Sequence, residues 1–331
     1  MTATDTDATG RARRAAMTPA QRSTRGVLWS VFTAFAFSSS TVVGKSLLDA
    51  FGVASLLLWR FAIASVALWL VLLVWRRFGG PDPFAAPWKR LFVIGVLFGC
   101  VVASGFIALQ WLDASVYIVL VYLYPVFVVL GSSLVGIPPA KGTWIALVLV
   151  MVGVVLTVPE LFTGVGTVSA LGVFLSLLQA VLFAGYMLLS SKVLESVDGV
   201  TNAAWTMLGA AALMLPFALA GGLQLPDTGE LRWKVLMFAI LPTVIAALAM
   251  FRAMSFVPAG IVAMIMPLEV VLAIIWSVIF LNEELDAMQA IGAVVVIAGV
   301  LVAQWMNRRD VVASPAADVP AEATPRRATG G

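Results

Sequence analysis

The chain has 331 residues, of which 62% are apolar and only 11% are charged, whereas a soluble domain carries about 25% charged residues. It contains no histidine and a single cysteine, Cys100, so an intrachain disulfide and metal sites built from histidine and cysteine are excluded. The net charge of +3 comes from basic residues spread along the chain, which argues against nucleic acid as a partner. This composition indicates an integral membrane protein whose surroundings are the lipid bilayer.

Ten apolar stretches approach the length needed to cross a bilayer. A backbone in lipid must satisfy its own hydrogen bonds, so each stretch is expected to be a helix. The sequence therefore predicts an all-α integral membrane protein with ten transmembrane helices, at residues 27–48, 53–75, 91–112, 114–135, 143–158, 168–190, 200–220, 235–251, 259–281 and 287–306. Residues 1–26 are interpreted as a basic tail, 159–167 as a linker and 307–331 as a disordered tail.

The basic residues outside these spans predict the orientation of the chain. With the N-terminus inside, only Arg232 and Lys234 fall on the outer side. The inner side then holds Arg11, Arg13, Arg14, Arg22, Arg25, Arg76, Arg77, Lys89, Arg90, Lys141, Lys192, Arg252, Arg308, Arg309, Arg326 and Arg327. We therefore expect both termini to be cytoplasmic.

Three separated segments match a later part of the chain at almost one offset. Lys45 matches Lys192 at an offset of 147 residues, Tyr124 matches Glu269 at 145, and Gly153 matches Gly299 at 146. The repeat unit covers five predicted spans, and an odd number requires the two copies to enter the membrane in opposite directions. We expect two inverted five-helix repeats, 27–158 and 168–306, an arrangement that secondary transporters use.

Glu269 is the one carboxylate near the centre of a predicted span, where insertion of a charged side chain costs about 2.5–3.5 kcal/mol. Its repeat mate Tyr124 is equally central. Other polar or aromatic residues at helical spacing from these two, or at mid-depth in other spans, are expected to line a common cavity for a small-molecule substrate. These candidates are Tyr117, Gln179, Tyr186, Trp276 and Ser39.

Several roles stay open for these residues. Glu269 is interpreted as a substrate or proton-coupling group, with a buried helix-packing carboxylate as the alternative. For the tyrosines and Trp276, core packing is the alternative to lining a cavity. Arg60 pairs with Glu269 or Asp49, binds a substrate carboxylate, or extends to the outer headgroups. Pro125 and Pro267 lie in mid-span, where proline bends a helix, and are candidate hinges that are not exact repeat mates.

The segment RAMSFVPAGIVAMIMPLEVVLAIIWSVIFLNEEL, which begins at Arg252, resembles the EamA family of the drug/metabolite transporter superfamily. Glu269 falls on the Glu of the family's Glu-Pro pair, with Val270 in place of the Pro, and Leu281-Asn282-Glu283 falls on its Leu-x-Glu pattern. The first half keeps Pro125 but has Tyr124 for the Glu and Gly136-Ile137-Pro138 for Leu-x-Glu. Arg60 matches an arginine that is common in the family's second span.

The resemblance implies a multi-pass protein of the plasma (inner) membrane that transports small metabolites, often amino acids or related amphipathic compounds. Export is favoured over import, proton coupling is one option, and a homodimer is one option for the assembly. A non-transporting scaffold or sensor subunit and a lipid flippase are the alternatives. The sequence has no P-loop and no clustered groups for intramembrane catalysis, so neither an enzyme nor a cofactor is expected.

Overall fold

A computed structural model describes residues 17–48, 50–112, 114–134, 141–158, 169–281 and 286–313, and every regular element in these ranges is helical. The first half contains α1 (Pro19–Leu48), α2 (Val53–Arg77), α3 (Trp88–Ala108), α4 (Ala114–Val121), α5 (Tyr124–Leu134) and α6 (Lys141–Leu156). The second half contains α7 (Ala170–Val193), α8 (Gly199–Ala220), α9 (Gly229–Ala239), a π-helix (Ile240–Ile245), α10 (Ala246–Met254), α11 (Ala259–Ile265), α12 (Leu268–Leu281) and α13 (Ala287–Ala313).

Each of the ten predicted spans falls on one helix or on a run of helices. Within the described ranges, eight helical stretches are long and apolar enough to cross a membrane, and the apolar helix Gly142–Leu156 is shorter. The last helix continues to Ala313, past the predicted end at residue 306. The predicted linker 159–167, residues 1–16 and residues 314–331 lie outside the described residues, as do Asp49, Asn282, Glu283 and residues 136–138.

Two spans are interrupted at matching positions. α4 and α5 are separated by residues 122–123, and α11 and α12 are separated by residues 266–267. Pro125 lies in the first turn of α5, where a backbone N–H has no helical partner, and Pro267 directly precedes α12. Pro125 and Pro267 are not repeat mates. The positions of the two breaks, however, differ from those of exact repeat mates by only a residue or two, so each half contains one such broken helix.

The contacts between the two halves form a two-fold pattern. α2 packs on α8, and α6 packs on α13, so each of these pairs joins two repeat mates. The other large contacts occur twice with the roles of the halves exchanged: α3 with α7 corresponds to α10 with α1, α3 with α8 corresponds to α9 with α2, and α5 with α7 corresponds to α12 with α1. Each of these contacts of one half therefore has a counterpart made by the matching helices of the other half.

Repeat mates that touch run antiparallel. Along α6 and α13, Gly153 lies against Val296 and Gly299 lies against Val150. Residue numbers therefore increase along one helix in the direction in which they decrease along the other. Similarly, the beginning of α2 meets the chain just after α8, because Gln224 binds the backbone of Gly52 and its own carbonyl accepts from the Trp59 indole.

The two ends of the bundle differ in charge. The C-termini of α2, α7 and α10 and the N-terminus of α3 lie at one end, which we call the basic end because it carries Arg76, Arg77, Lys89, Arg90, Lys192 and Arg252. The opposite end contains a small apolar cluster of Leu47, Phe51, Leu56, Val235 and Phe238.

The close contact between α6 and α13 depends on Gly292. A Cβ atom at this position would lie 2.5 Å from the Thr157 nitrogen and 2.7 Å from the Leu156 carbonyl carbon, and backbone atoms cannot move aside. We expect Gly292→Ala to lower the thermal unfolding temperature in detergent, at a cost of about 1–3 kcal/mol.

Gly185→Ala in α7 is the matched control, because nothing lies within 4 Å of its Cβ position. Both changes gain the same helix propensity of about 1 kcal/mol. Equal unfolding temperatures for the two variants would contradict the close packing of α6 on α13.

Candidate functional site

The two helix breaks meet through a hydrogen bond between a tyrosine and a carboxylate. Tyr122 lies in the break between α4 and α5, Glu269 is the second residue of α12, and the Tyr122 hydroxyl donates to Glu269 Oε1. The two residues are 147 positions apart, which is within the range of repeat offsets. The contact therefore joins the broken span of one half to the broken span of the other.

Tyr124, the predicted repeat mate of Glu269, contacts the other half through a separate hydrogen bond. Its side chain is 3% exposed, and its hydroxyl donates to the carbonyl oxygen of Ala263 at 3.5 Å. This carbonyl lies four residues before Pro267, which has no N–H to donate to it. The hydroxyl of Tyr124, which comes from the other half, therefore replaces the backbone hydrogen bond that Pro267 cannot donate.

Tyr117 and Gln179 form a second polar pair, between α4 and α7. The Tyr117 hydroxyl donates to Gln179 Oε1 at 2.9 Å. The pair fits because α3 carries Gly105 at the contact, where a Cβ atom would lie 2.6 Å from the Tyr117 hydroxyl. The two candidates predicted from the sequence are thus brought together.

Trp276 and the serines of α1 meet on the other side of the site. The Trp276 indole N–H donates to Ser38 Oγ at 2.8 Å, and its ring packs edge-to-face on Phe35 at 5.5 Å. The hydroxyl of Ser39 donates to the Ala36 carbonyl of its own helix at 2.7 Å. The indole contact therefore uses Ser38 and not the neighbouring candidate Ser39.

Tyr186 lies deeper, toward the basic end. It is fully buried, and its ring contacts Phe98 at 4.7 Å and Phe183 at 6.0 Å. Phe183 in turn contacts Tyr124 at 4.9 Å. Tyr186 thus reaches the site only through Phe183.

Arg60 does not pair with Glu269: both residues are described, and no ion pair joins them. Arg60 is 5% exposed, which also excludes an extended position at the headgroups. Its Nε donates to Thr243 Oγ1 at 2.7 Å, its Nη2 donates to the Pro242 carbonyl at 3.2 Å, and its guanidinium lies 4.5 Å from the Phe238 ring centre. Thr243 in turn donates to the Phe238 carbonyl, which Pro242 leaves without a helical donor. Arg60 therefore fixes the π-helical segment.

The halves of the broken spans differ in exposure. Residues 116–121 of α4 are all half-exposed, whereas in the matching residues 261–266 only Ile261 is half-exposed and the others are buried. Six consecutive helical residues point in every direction around the axis, so α4 is accessible on its inner face as well as its outer face. Among the described residues, the half of the broken span that lies away from the basic end is therefore more exposed than its counterpart toward the basic end.

A model of the EamA-like transporter family matches residues 24–158 and again residues 170–304. The chain belongs to the EamA-like transporter family. The two matches are offset by 146 residues at both ends (170 − 24 and 304 − 158), in agreement with the offsets of 145–147 found within the sequence. The predicted family is confirmed, and so is the presence of two repeats in the chain.

Two further comparisons agree with this membership. An uncharacterized transporter of Archaeoglobus fulgidus is 30% identical over 267 residues, which cover 78% of this chain and 89% of that protein. A crystal structure of another protein superposes with a TM-score of 0.75 at 20% identity, covering 86% of this chain and 98% of that one, and shows a shared fold. The EamA protein described here is thus a multi-pass membrane protein of a transporter family that is not generally enzymatic. Among its described residues, no group of three or more histidine, cysteine or acidic side chains is placed to hold a metal ion.

The contacts of Arg60 predict that lysine cannot replace it. A single ammonium group lacks the planar fork that bonds Thr243 and the Pro242 carbonyl together. We expect Arg60→Lys to lower the free energy of unfolding by about 1–3 kcal/mol, measured by thermal unfolding in detergent. Arg76→Lys is the control, because Arg76 is 48% exposed in its surface ion pair, which is worth about 0–1 kcal/mol. If Arg60→Lys were as stable as the wild-type protein, the positive charge alone, and not the planar guanidinium group, would account for the stabilisation by Arg60.

Proposed function

We propose that this EamA protein is a secondary transporter that moves small amphipathic metabolites, such as amino acids, across the plasma membrane by alternating access, and we favour export. The observation that carries the proposal is the Tyr122–Glu269 hydrogen bond at the contact between the two halves. A carboxylate is costly inside a membrane, and transporters bind their substrates and coupling ions at such a position between repeats.

The proposed architecture is ten membrane spans in two inverted repeats. Contacting repeat mates run antiparallel, as the glycine contacts between α6 and α13 indicate. A rotation axis that lies in the membrane plane relates antiparallel mates, whereas an axis along the membrane normal would leave mates parallel. The basic end is then cytoplasmic, and the half-exposed α4 faces the outside.

The residues of the site make different contacts with an amphipathic solute. Glu269 accepts a substrate ammonium group or carries a coupled proton. Tyr117 and Gln179 provide a hydroxyl and an amide for further hydrogen bonds. Trp276 and Phe35 provide an apolar wall. Arg60 acts indirectly, because two of its donors already hold the π-helical segment.

The helix breaks are the points at which the proposed movement occurs. At Pro125 and Pro267 the ladder of backbone hydrogen bonds is interrupted, so bending there breaks fewer bonds than in a continuous helix. The breaks are close to repeat mates, and the two halves can therefore exchange their open and closed forms about the same axis.

A flux assay tests the role of Glu269. Purified protein in proteoliposomes, with an imposed pH gradient, is assayed for uptake of radiolabelled amino acids, individually and as a mixture. We expect Glu269→Gln to reduce the flux driven by the pH gradient at least about tenfold. This decrease corresponds to an increase of about 1.4 kcal/mol or more in the activation free energy of the coupled step.

Glu230→Gln is the matched control. Glu230 is a carboxylate in an exposed pair with Lys234, four residues further along α9, and its replacement is expected to leave the flux unchanged. Wild-type flux from Glu269→Gln would remove Glu269 from the mechanism, and the absence of flux from wild-type protein for every amino acid would contradict the proposed substrate class.

A further inference from the structure

Two tryptophans at equivalent positions of the repeat make the same kind of hydrogen bond at opposite ends of the bundle. Trp59 and Trp205 are 146 residues apart (205 − 59), which is the offset between the two family matches. The indole N–H of Trp59, near the beginning of α2, donates at 2.8 Å to the carbonyl of Gln224, which follows α8. The indole N–H of Trp205, near the beginning of α8, donates at 3.1 Å to the carbonyl of Pro83, which follows α2. Each tryptophan therefore joins its own helix to the segment that leaves the mate helix.

The apolar residues around the two indoles also correspond. One indole packs on a cluster built from the end of α1, the turn before α2, and α9. The other belongs to a cluster built from the end of α7, the turn before α8, and α3. The members that correspond at an offset of 146 residues are Leu47 with Val193 and Phe51 with Val197. The two ends of the α2–α8 pair thus have the same construction, with the roles of the halves exchanged.

Neighbouring interactions reinforce each tryptophan contact. The side-chain oxygen of Gln224 accepts from the Gly52 backbone N–H, and the Gln224 backbone N–H donates to Ser55 Oγ at 3.2 Å. At the basic end, the ring of Trp205 packs edge-to-face on that of Trp69 of α2, with ring centres 5.1 Å apart. Several interactions would therefore have to break together before α2 and α8 could separate at either end.

Both tryptophan contacts are formed in one conformation, although the broken spans differ between the halves. Residues 116–121 of α4 are all half-exposed, whereas five of the six matching residues 261–266 are buried. In a molecule whose halves exchange conformations, a contact that opens and closes in turn is formed at one end and broken at the other. Because the tryptophan contacts are present at both ends, they differ from the broken spans in this respect.

We propose that α2 and α8, joined at both ends through Trp59 and Trp205, form a frame that stays assembled while the broken spans open and close the pathway. The inference rests on the proposed alternating-access function and assigns its movement to one part of the fold. Each half contributes one helix to the frame and one broken span. The broken spans then move relative to the frame, and the two halves do not separate from each other as rigid bodies.

Cross-linking at both ends tests the frame. Cys100 is the only cysteine, so Cys100→Ala gives a background without thiols, and one cysteine pair is placed beside each tryptophan contact. The pairs use exposed positions: Ala50→Cys with Leu225→Cys, and Ser196→Cys with Ala85→Cys. The purified protein in nanodiscs reacts with a short bifunctional maleimide, and each cross-link is quantified by mass spectrometry. Since α2 has 25 residues and is roughly 37 Å long, the reagent cannot join one end to the other.

The rate at one end is compared with and without a cross-link already formed at the other end. A frame predicts independent reactions, in which the first cross-link changes the rate of the second by less than about twofold. Contacts that alternate predict that the first cross-link slows the second at least about tenfold, because it holds the opposite end open. Such slowing overturns the inference. A pair that reacts with a monofunctional maleimide but does not cross-link overturns it as well, because the contact is then not formed.

Flux through the doubly cross-linked protein gives the second readout. The control is the same four-cysteine protein reacted with the monofunctional maleimide. We expect the two preparations to differ in amino-acid flux by less than about twofold, and loss of flux only in the cross-linked protein would overturn the inference. The cross-linking rates are measured without any solute. Independent cross-linking without amino-acid flux in the control therefore supports the frame and removes only the proposed substrates.

Discussion

The structure depends on a carboxylate that must be hydrogen-bonded because lipid cannot solvate it. Glu269 meets this requirement through the hydroxyl of Tyr122, which comes from the other half of the chain. The contact holds the two helix breaks against each other, and other helix contacts between the halves occur in exchanged pairs. A neutral residue at 269 would need no such partner, and the two halves would lose this polar contact.

Polar side chains also form hydrogen bonds with the backbone carbonyls that proline leaves without an amide donor. Pro267 leaves the Ala263 carbonyl without an amide donor, and Tyr124 donates to this carbonyl from the other half. Pro242 likewise leaves the Phe238 carbonyl without an amide donor. The Thr243 hydroxyl donates to this carbonyl and accepts a hydrogen bond from Arg60. Since the freed carbonyls are satisfied by side chains, the breaks persist without exposing backbone to lipid.

Much of this organisation could be predicted from the sequence, because the length of apolar runs and the offset of repeated residues report directly on spans and repeats. Glu269 was identifiable by its depth alone. Tyr122 was missed because repeat offsets vary between 145 and 147, and the break in the helix changes which tyrosine reaches Glu269. The partners of Arg60 could not be predicted, because the sequence does not indicate a π-helix and only the geometry of that segment explains them.

A double-mutant cycle on the contact between Tyr122 and Glu269 tests the central claim most directly. The free energy of unfolding in detergent is measured for wild type, Tyr122→Phe, Glu269→Gln and the double variant. If the hydrogen bond joins the two halves, the effects are coupled by about 1 kcal/mol or more. Effects that add to within about 0.5 kcal/mol would contradict the account, because the two residues would then not interact between the halves.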